Sequence, residues 1–326
     1  MIEILTTGLL NTVQDLGRPG HLALGVSHGG AMDKQALAVA NLMLGNDVAA
    51  AGIEVALHPF RFRAHMDTAV AVTGADCAVS IADRPCPPWW AMTIRAGETL
   101  VIDAPRTGAR SYIAFAGGLD LPSVMGSRAT DLKGSFGGLA GRGLARGDRL
   151  ALNPAQCPLP AGGLGAAAEE RRGAADGLAA AIKLRVLPAA EFDAFTPEAQ
   201  ATFTTGEWSI TNDANRMGYR LSGEPLSLIS PLELLSHGIV PGTIQVPPSG
   251  QPIIQLADAN TCGGYPKIAT VIEADLWRLA QAPVGANLRF LPVSVEASTD
   301  ALRAGQTWLH DFAAARNLVA ARPRPG

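Results

Sequence analysis

The chain has 326 residues, with 26 Lys or Arg against 29 Asp or Glu and a formal net charge of −3 at pH 7. This balance excludes a protein that binds nucleic acid mainly by neutralising phosphates, and a composition that is 48% apolar and 17% charged excludes a disordered chain. The length predicts about two domains, and the 36 Gly and 23 Pro favour many short strands joined by turns.

The first half of the chain has the pattern of a β-rich domain, predicted over residues 1–153, with one helix near its start. The helix is predicted over 32–44, because Leu37, Ala40 and Leu44 share one face and Gly45 follows at a position that ends helices. Turn-forming stretches at 74–76 and 106–108 separate short apolar runs that are typical of strands. The predicted strands are 68–73, 78–82, 91–95, 99–102, 111–116 and 149–152.

Residues 154–182 are predicted to be a linker, since Pro, Gly and a charge cluster at 169–172 leave little apolar surface to bury. A second β-rich domain is predicted over 183–297. A C-terminal helix and tail are predicted over 298–326, and the Arg-Pro repeat at 322–325 is expected to fray. The strands predicted in the second domain are 184–187, 208–210, 243–246, 252–257, 269–272 and 288–290.

The sequence carries few signs of a metal site or a membrane segment. Its four cysteines lack the spacing of a zinc site or a disulfide framework, its N-terminus lacks a signal-peptide pattern, and no apolar run approaches the roughly 18 residues that cross a bilayer. We therefore expect no metal, no membrane contact and a cytoplasmic location. The Gly-rich stretch at 134–143 does not match the dinucleotide-binding fingerprint and is predicted to be a tight loop.

Two polar clusters near the N-terminus could hold a small ligand. In the first, at 12–20, the amide of Gln14, the carboxylate of Asp15 and the guanidinium of Arg18 could hold a small planar substrate, since Arg grips carboxylates. The alternative is a surface turn with an Asp–Arg pair. In the second, at 29–33, Asp33 lies in the first turn of the predicted helix, and capping of that helix explains it without a ligand.

A third cluster, at 244–267, places amide and carboxylate side chains between the apolar residues of strand-like segments. Buried amides are costly unless they are hydrogen-bonded, which favours ligand recognition, and a water-filled barrel core is the alternative. The polar residues of this cluster are Gln245, Gln251, Gln255, Asp258 and Asn260, followed by Tyr265 and Lys267.

Together and in this order, these clusters resemble the family of 5-oxoprolinase C subunits, also called KipA or allophanate hydrolase subunit 2 and grouped with biotin-dependent carboxyltransferases. The similarity covers the chain from about residue 4 to 292 outside the linker. The segments that carry it include TVQDLGRPG (12–20), VSHGGAMD (26–33), GARSYIAFAGGLDLPSVMGSRATDLK (108–133), NRMGYRL (215–221), ELLSHGIVPGTIQVPPSGQPI (233–253) and GGYPKIATVIEAD (263–275).

The resemblance implies a mainly β fold of two cyclophilin-like β-barrel domains with a few short helices. It also implies one component of a bacterial ATP-dependent 5-oxoprolinase. This cyclic-amide hydrolase opens 5-oxoproline to glutamate with the help of an A subunit and a KipI-like B subunit. ATP is then used by the complex, with the ATP-binding component left open, and the substrate is a small amide.

The family motifs also imply site residues at the matching positions. We expect Arg18 or Arg216 to hold a carboxylate or a phosphate. Either Asp15 or Asp33 would act as a base or polarise the substrate, and Lys267 would be an electrostatic clamp. The expected catalytic residues are Asp15, Asp33, Arg216 and Lys267, and the expected substrate-binding residues are Gln14, Arg18, Asn215, Tyr219, Gln245, Gln251, Asp258 and Tyr265.

Two other functions stay open from the same resemblance. The chain could be the carboxyltransferase component of a biotin-dependent urea or amide carboxylase, although it has no Met-Lys-Met site for biotin attachment. It could also be a KipA-type regulatory protein that antagonises a kinase inhibitor. In that case a partner-binding surface would matter and turnover would not.

Overall fold

The computed structural model describes residues 1–155, 157–167 and 180–320, and the chain divides into two compact units. The first unit comprises Met1–Arg18, Gly29–Gly173 and Gln306–Gly326, and the second comprises Pro19–His28 and Ala174–Gly305. The predicted charge cluster at 169–172 and the predicted frayed end at 322–325 lie outside the described residues.

The first unit is built on a ten-stranded sheet. Its hydrogen-bonded path runs β10-β7-β5-β8-β4-β1-β9, with β3 joining β8, β2 joining β3 and β6 joining β5. The elements are β1 (Ile2–Thr6), β2 (Thr12–Gln14), α1 (Lys34–Leu44), β3 (Gly52–Val55), β4 (Phe60–Ala64), β5 (Thr68–Ile81), β6 (Arg84–Cys86), β7 (Trp90–Ile94), β8 (Thr99–Phe115), β9 (Arg149–Leu150) and β10 (Leu164–Gly165).

Strands β5 and β8 form a long antiparallel pair at the centre of this sheet, where the sequence predicted shorter strands joined by turns. The turns predicted at 74–76 and 106–108 are wrong, because both strands are continuous there and register shifts between Gly74 and Val79 mark β-bulges. A bulge adds an unpaired residue to one strand, and Gly allows the positive φ that such a kink can require. The φ angle is +90° at Gly74 and +86° at Gly108.

We expect Gly74→Ala to destabilise the first unit strongly. A Cβ at this position would lie 2.3 Å from the carbonyl oxygen of Arg110. The free energy of unfolding should therefore fall by more than the roughly 1–2 kcal/mol that a left-handed φ costs by itself. Gly97→Ala is the matched control, since Gly97 has φ +87° but no atom within 4 Å of the added Cβ. Equal losses for the two variants in urea denaturation would contradict the close approach at Gly74.

Alternate residues of β5 and β8 face two apolar clusters, as the period of a strand requires. On one face, Val72 and Phe115 pack with Phe62, and the rings of Phe62 and Phe115 meet edge to face at 5.3 Å. On the other face, Ala71 and Ala114 pack against α1. The sheet is therefore buried on both faces along its centre.

Helix α1 begins and ends close to the residues predicted from the sequence. Asp33 is the N-cap, and its side chain accepts a hydrogen bond from the backbone N–H of Ala36. Gly45 ends the helix in the left-handed region, with φ +73°. The buried face includes Leu37 and Leu44, which confirms the predicted apolar stripe.

The second unit contains a closed barrel of strand order β11-β18-β15-β16-β13-β12-β19, in which only β11 and β19 pair in parallel. A further pair, β14 and β17, forms a separate two-stranded sheet. The elements are β11 (Ile182–Pro188), α2 (Pro197–Thr205), β12 (Trp208–Ile210), β13 (Gly218–Ser222), β14 (His237–Gly238), β15 (Thr243–Gln245), β16 (Ile253–Gln255), β17 (Cys262–Gly263), β18 (Lys267–Val271), α3 (Leu276–Gln281) and β19 (Asn287–Pro292). The last helix, α4 (Val295–Ala320), begins in the second unit, and its residues from Gln306 onward belong to the first.

The mainly β class expected from the sequence is confirmed, and the helices differ from the prediction in three places, one of which is the unpredicted short helix α3. Helix α2 was not predicted, although Thr196 caps it and Pro197 occupies its first turn, both of which are helix-start signals. Helix α4 has 26 residues, so it is longer than the short helices expected, and it begins three residues before the predicted start at 298. Among the described residues, no helix has the length and apolar character to cross a membrane.

Candidate functional site

Asp15 lies just after β2 in the first unit and holds two separate loops together. Its carboxylate accepts hydrogen bonds from the backbone N–H of Gly17 at 2.7 Å, the hydroxyl of Ser127 at 2.7 Å and the backbone N–H of Arg128 at 2.5 Å. The side chain is 5% exposed. Both carboxylate oxygens are therefore engaged by the chain itself, and none of these three bonds involves Arg18.

Arg18 is fully buried, with 0% of its surface exposed. Its Nη2 donates to the carbonyl oxygen of Ala129, and the ring of Phe136 lies 4.7 Å from the guanidinium carbon. In the part of the chain that the structure describes, Nε and Nη1 have no hydrogen-bond partner. The alternative of a surface turn with an Asp–Arg pair is wrong, because both side chains are buried and bond elsewhere.

Gln14 is the third buried polar side chain of this cluster. Its Nε2 donates to the hydroxyl of Thr12 at 2.9 Å and to the carbonyl oxygen of Thr130 at 3.2 Å. Its Oε1 is buried and has no partner among the described residues. Gln14 and Arg18 bond to the adjacent carbonyls of Thr130 and Ala129. The acceptor Oε1 of Gln14 and the donors Nε and Nη1 of Arg18, which have no partner among the described residues, therefore belong to side chains bonded to the same segment.

The loop that contains Phe136 is the Gly-rich stretch at 134–143, and the prediction of a tight loop is confirmed. Gly137 has φ +69°, and a Cβ there would lie 2.1 Å from the carbonyl oxygen of Ala129 and 3.0 Å from Nη2 of Arg18. A residue with a side chain at 137 would therefore displace the segment that holds the guanidinium. The absence of a Cβ lets this loop pass close to Arg18.

Asp33 takes the structural role that the sequence offered as the alternative to a catalytic one. It caps α1 through Ala36, and its own backbone N–H donates to the hydroxyl oxygen of Tyr112 at 2.8 Å. Tyr112 in turn donates to the carboxylate of Glu54 at 2.9 Å. Burial, and then the charge of Glu54, raise the pKa of Tyr112 well above its ordinary value, so it stays a neutral donor.

Sequence reasoning missed Glu54, a fully buried carboxylate of β3. Besides Tyr112 it accepts the backbone N–H of Met32 at 2.8 Å, and its other oxygen lies 3.8 Å from Nε of Arg110. A bond from the backbone N–H of Ala31 to the carbonyl oxygen of Asp15 ties this network to the first polar cluster. The available signal was a single acid inside the apolar run at 51–57.

In the second unit, Arg216 and Asp258 form a buried ion pair with two parallel hydrogen bonds of 2.8 and 2.9 Å. Their exposed fractions are 8% and 6%, so the pair is held in a dry environment where each charge depends on the other. A backbone bond from the N–H of Asp258 to the carbonyl oxygen of Arg216 fixes the two segments together. The structure thus brings together two of the expected site residues that are 42 positions apart.

Gln245, Gln255 and Lys267 form a second polar group of this unit. Gln255 donates to Oε1 of Gln245 at 3.1 Å, and Nε2 of Gln245 is buried without a partner in the described ranges. Gln245 pairs with Lys267 between β15 and β18. A Cβ on Gly263 would lie 2.5 Å from Nε2 of Gln245, so only a glycine lets the amide pack this closely against the backbone at 263.

Lys267 is 7% exposed, and its Nζ donates to the carbonyl oxygen of Tyr265 at 3.4 Å. Burial lowers the pKa of Lys267, and the carboxylate of Glu191 partly offsets this effect. Glu191, which sequence reasoning missed, also accepts the backbone N–H of Lys267 at 3.2 Å and lies 3.9 Å from Nε2 of His237. The expected clamp therefore has the carboxylate of Glu191 beside it, and the imidazole of His237 lies next to that carboxylate. The Tyr265 side chain is 48% exposed.

The remaining expected residues of the second unit stabilise local structure. Asn215 accepts the backbone N–H groups of Met217 and Gly218, which closes a turn before β13. Gln251 exchanges two hydrogen bonds of 3.0 Å with the backbone of Gly223. Tyr219 is 3% exposed on β13, opposite Ile254. Asn215 thus bonds within its own turn, whereas Gln251 joins two segments that lie 28 residues apart. None of these bonds reaches the buried ion pair or the free amide of the second polar group.

A cluster of His58, Cys77 and Ser111 in the first unit has the residue types of a nucleophile and a base. The hydroxyl of Ser111 lies 3.1 Å from Nε2 of His58 and 3.2 Å from Sγ of Cys77. Burial raises the pKa of the Cys77 thiol to about 11, although the Ser111 hydrogen bond opposes this effect. Cys77 is therefore mostly a neutral thiol near pH 7, which is a poor nucleophile.

Thiol labelling should separate Cys77 from the exposed Cys262. Because thiolate is the reactive form, a rise of pKa to about 11 should slow alkylation of Cys77 at pH 8 by about a hundredfold or more. Iodoacetamide labelling of the native protein followed by peptide mass analysis gives the two rates. Comparable rates at Cys77 and Cys262 would contradict the burial of Cys77.

Across residues 1–155, 157–167 and 180–320, no group of three or more His, Cys, Asp or Glu side chains could hold a metal ion. The unused groups are instead suited to a small organic anion or amide. Arg18 offers cationic donors, Gln14 offers an acceptor, and Gln245 offers a neutral donor.

The fold and the sequence define the class of protein. A profile of the family described as carboxyltransferase domain, subdomain A and B, matches residues 24–292. The crystal structure of the Kluyveromyces lactis urea carboxylase is similar to this chain with a TM-score of 0.85 and 26% identity, over 95% of this chain and 29% of that one. These similarities define a carboxyltransferase domain.

Two curated bacterial relatives narrow this class. The C subunit of 5-oxoprolinase from Escherichia coli strain K12 is 41% identical over 96% of this chain and 98% of its own length. The C subunit of 5-oxoprolinase from Haemophilus influenzae is 40% identical over 95% of this chain and 96% of its own length. The chain therefore belongs to the family of 5-oxoprolinase C subunits within the carboxyltransferase domains.

Proposed function

We propose that the chain is the C subunit of a cytoplasmic ATP-dependent 5-oxoprolinase that converts 5-oxoproline to glutamate together with an A subunit and a KipI-like B subunit. The observation that carries this proposal is the buried guanidinium of Arg18 with two nitrogens that have no partner among the described residues. A buried cation without a counter-charge is strongly disfavoured unless an anion completes the site. The carboxylate of 5-oxoproline is such an anion.

The chemistry of Gln14 supports the same substrate. The lactam of 5-oxoproline carries one N–H donor and one carbonyl acceptor besides its carboxylate. Oε1 of Gln14 is a free acceptor for the lactam N–H, and the donors of Arg18 are free for the carboxylate. Phe136 stacks on the guanidinium and is only partly buried, so its displacement would open the cation to a ligand.

In this proposal ATP hydrolysis supplies the free energy that opens the lactam ring, and this chain orients the substrate. Transfer of the γ-phosphoryl group of ATP to the lactam oxygen releases ADP and makes the carbonyl carbon electrophilic. Water adds there, and cleavage of the C–N bond frees the amine and leaves γ-glutamyl phosphate. A second water then hydrolyses this acyl phosphate to glutamate and inorganic phosphate. Asp15 and Asp33 position the first cluster, because each of them accepts hydrogen bonds from the backbone of its own loop or helix. In this proposal the positive charge of Arg18 holds the carboxylate of 5-oxoproline in place while these steps occur.

In the second unit, the proposal assigns ligand contacts to the free amide of Gln245 and to Lys267 as a clamp for a negatively charged group. Arg216 and Asp258 hold the neighbouring segments of that unit in place. The exposed Tyr265 remains a proposed substrate contact, while Asn215, Tyr219 and Gln251 stabilise loops and a strand of the same unit.

Reconstitution tests this function directly. We expect glutamate to form from 5-oxoproline only when ATP, this chain and the two partner proteins are all present. Omission of this chain is the matched control. Full turnover without it would contradict the proposal.

The similarity to urea carboxylase favours one alternative, a biotin-dependent carboxyltransferase acting on urea or a related amide. Addition of avidin, which sequesters biotin, would stop that reaction and leave 5-oxoproline turnover unchanged. A KipA-type regulatory role would instead give no turnover of either substrate in the complete mixture.

A further inference from the structure

A cavity of about 730 Å³ lies on the first unit, and its lining contains none of the residues of the polar clusters described above. Its lining comes from β1, β4 and β8, from the turns at 82–83 and 96–98, and from Arg146 before β9. This volume is within the range of about 300–1,000 Å³ that is typical of small-molecule sites.

Strand geometry directs two arginines into this cavity. Phe60 and Phe62 of β4 are fully buried, so the alternating residues Arg61 and Arg63 project from the opposite face of the sheet. Arg61 lies between Thr6 of β1 and Val101 of β8 in the strand pairing. The two arginines are separated by about 7 Å along the strand, and the third, Arg146, comes from a different segment.

The charge of the lining is not balanced by its acids. Glu98 is occupied, because it accepts hydrogen bonds from Arg84 at 2.8 Å and from the backbone N–H of Arg95 at 2.8 Å. The other lining acid is Asp83. Glu3, the cross-strand neighbour of Arg63, is bonded to His65 at 2.8 Å.

Within the described residues, no hydrogen bond or ion pair of Arg61, Arg63 or Arg146 involves another side chain. The charge of Arg63 does contribute, after the larger effect of the His65 hydrogen bond, to lowering the pKa of Glu3. Three arginines therefore line one concave space together with two acids, which leaves an excess of positive charge. Forked guanidinium groups match phosphate oxygens in geometry and charge. A single carboxylate would satisfy one guanidinium only, whereas a chain of phosphates can contact several.

We propose that this arginine cavity binds an oligophosphate, of which the triphosphate of a nucleotide is one source. The inference goes beyond the reaction proposed above, and it relies on the proposed ATP dependence only for the choice of ATP as one probe. Such a site would place the phosphate-binding function of the complex at least partly on this chain.

Calorimetric titration of the full-length chain with ATP, sodium tripolyphosphate and inorganic phosphate tests the inference without any turnover. We expect tripolyphosphate to bind more tightly than inorganic phosphate, and its affinity to fall at least tenfold in the R61A/R63A double variant and in Arg146→Ala. Binding should also weaken as ionic strength rises, because exposed charges are screened by salt. Arg149→Ala is the matched control, since this exposed arginine lies outside the cavity lining.

Each outcome of these titrations either supports or overturns the inference. Binding of ATP and tripolyphosphate with loss in the cavity variants supports a nucleotide site, and binding of tripolyphosphate alone supports an oligophosphate site from which the nucleoside is excluded. No binding of either probe, or equal loss in Arg149→Ala, overturns the inference. Thermal unfolding shows whether each variant is folded. Turnover of 5-oxoproline by the complete complex is a separate readout, so failure of this site and failure of the proposed reaction can be told apart.

Discussion

Arg18→Met should strongly reduce 5-oxoproline turnover by the reconstituted complex while leaving the folded chain as stable as the wild type or more stable. The guanidinium is fully buried, and two of its nitrogens have no partner among the described residues. Replacing a buried charge by an apolar side chain of similar length removes a desolvation cost, so its effect on stability is neutral or favourable. Function and stability should therefore change in opposite directions.

The size of the functional loss follows from the contact that is removed. Truncating one partner of a buried, hydrogen-bonded charge pair costs about 2–5 kcal/mol, so kcat/KM for 5-oxoproline should fall by roughly 30-fold or more. Arg303→Met is the matched control, because the side chain of Arg303 is 73% exposed. An active Arg18→Met variant would remove Arg18 from substrate binding. An inactive variant that is also unfolded would show instead that the cation supports the fold.

Arg216→Ala should destabilise the second unit by about 3–5 kcal/mol, because it leaves the carboxylate of Asp258 buried without its partner. Asp258→Ala should cost a similar amount for the converse reason. The R216M/D258L double variant removes both charges and should lose much less stability than either single variant. Urea denaturation of the three variants measures these differences.

The double variant also separates structure from catalysis. If Arg216 only holds Asp258, the stable double variant should keep most of the ATP-dependent turnover of the complex. If Arg216 contacts the substrate, the double variant should be folded and inactive. Additive losses of stability in the double variant would contradict a direct interaction between the two side chains.

Local elements followed from the sequence where local chemistry is sufficient. Helix α1 has an Asp before its first turn, an apolar stripe of helical period and a Gly directly after it, and all three act within a few residues of each other. The bulges of β5 were predicted as turns because a glycine such as Gly74 is typical of a β-bulge and of a turn alike. Pairing with β8, which lies some 30 residues away in the chain, decides between them.

Some residues of the candidate site could also be predicted, because they too have a local signal in the sequence. The clusters at 12–20 and 244–267 stand out as polar groups inside apolar segments, so Gln14, Asp15, Arg18 and Lys267 could be selected as buried polar residues. Glu54 and Glu191 were missed because each is a single acid in an otherwise ordinary segment. Their importance arises only when a strand or loop brings them to Tyr112 or Lys267.

The sequence by itself therefore determined the mainly β class, the limits of α1 and the positions of the polar clusters, since side-chain period and capping act over short distances. Only the tertiary structure decided which charges are paired. Asp15 bonds to Ser127 and Arg128 instead of Arg18, and Arg216 bonds to Asp258. Arg18 is held by the carbonyl of Ala129, 111 residues away, and its Nε and Nη1 have no partner among the described residues. Such pairing depends on distances across the fold, which no local pattern of residues encodes.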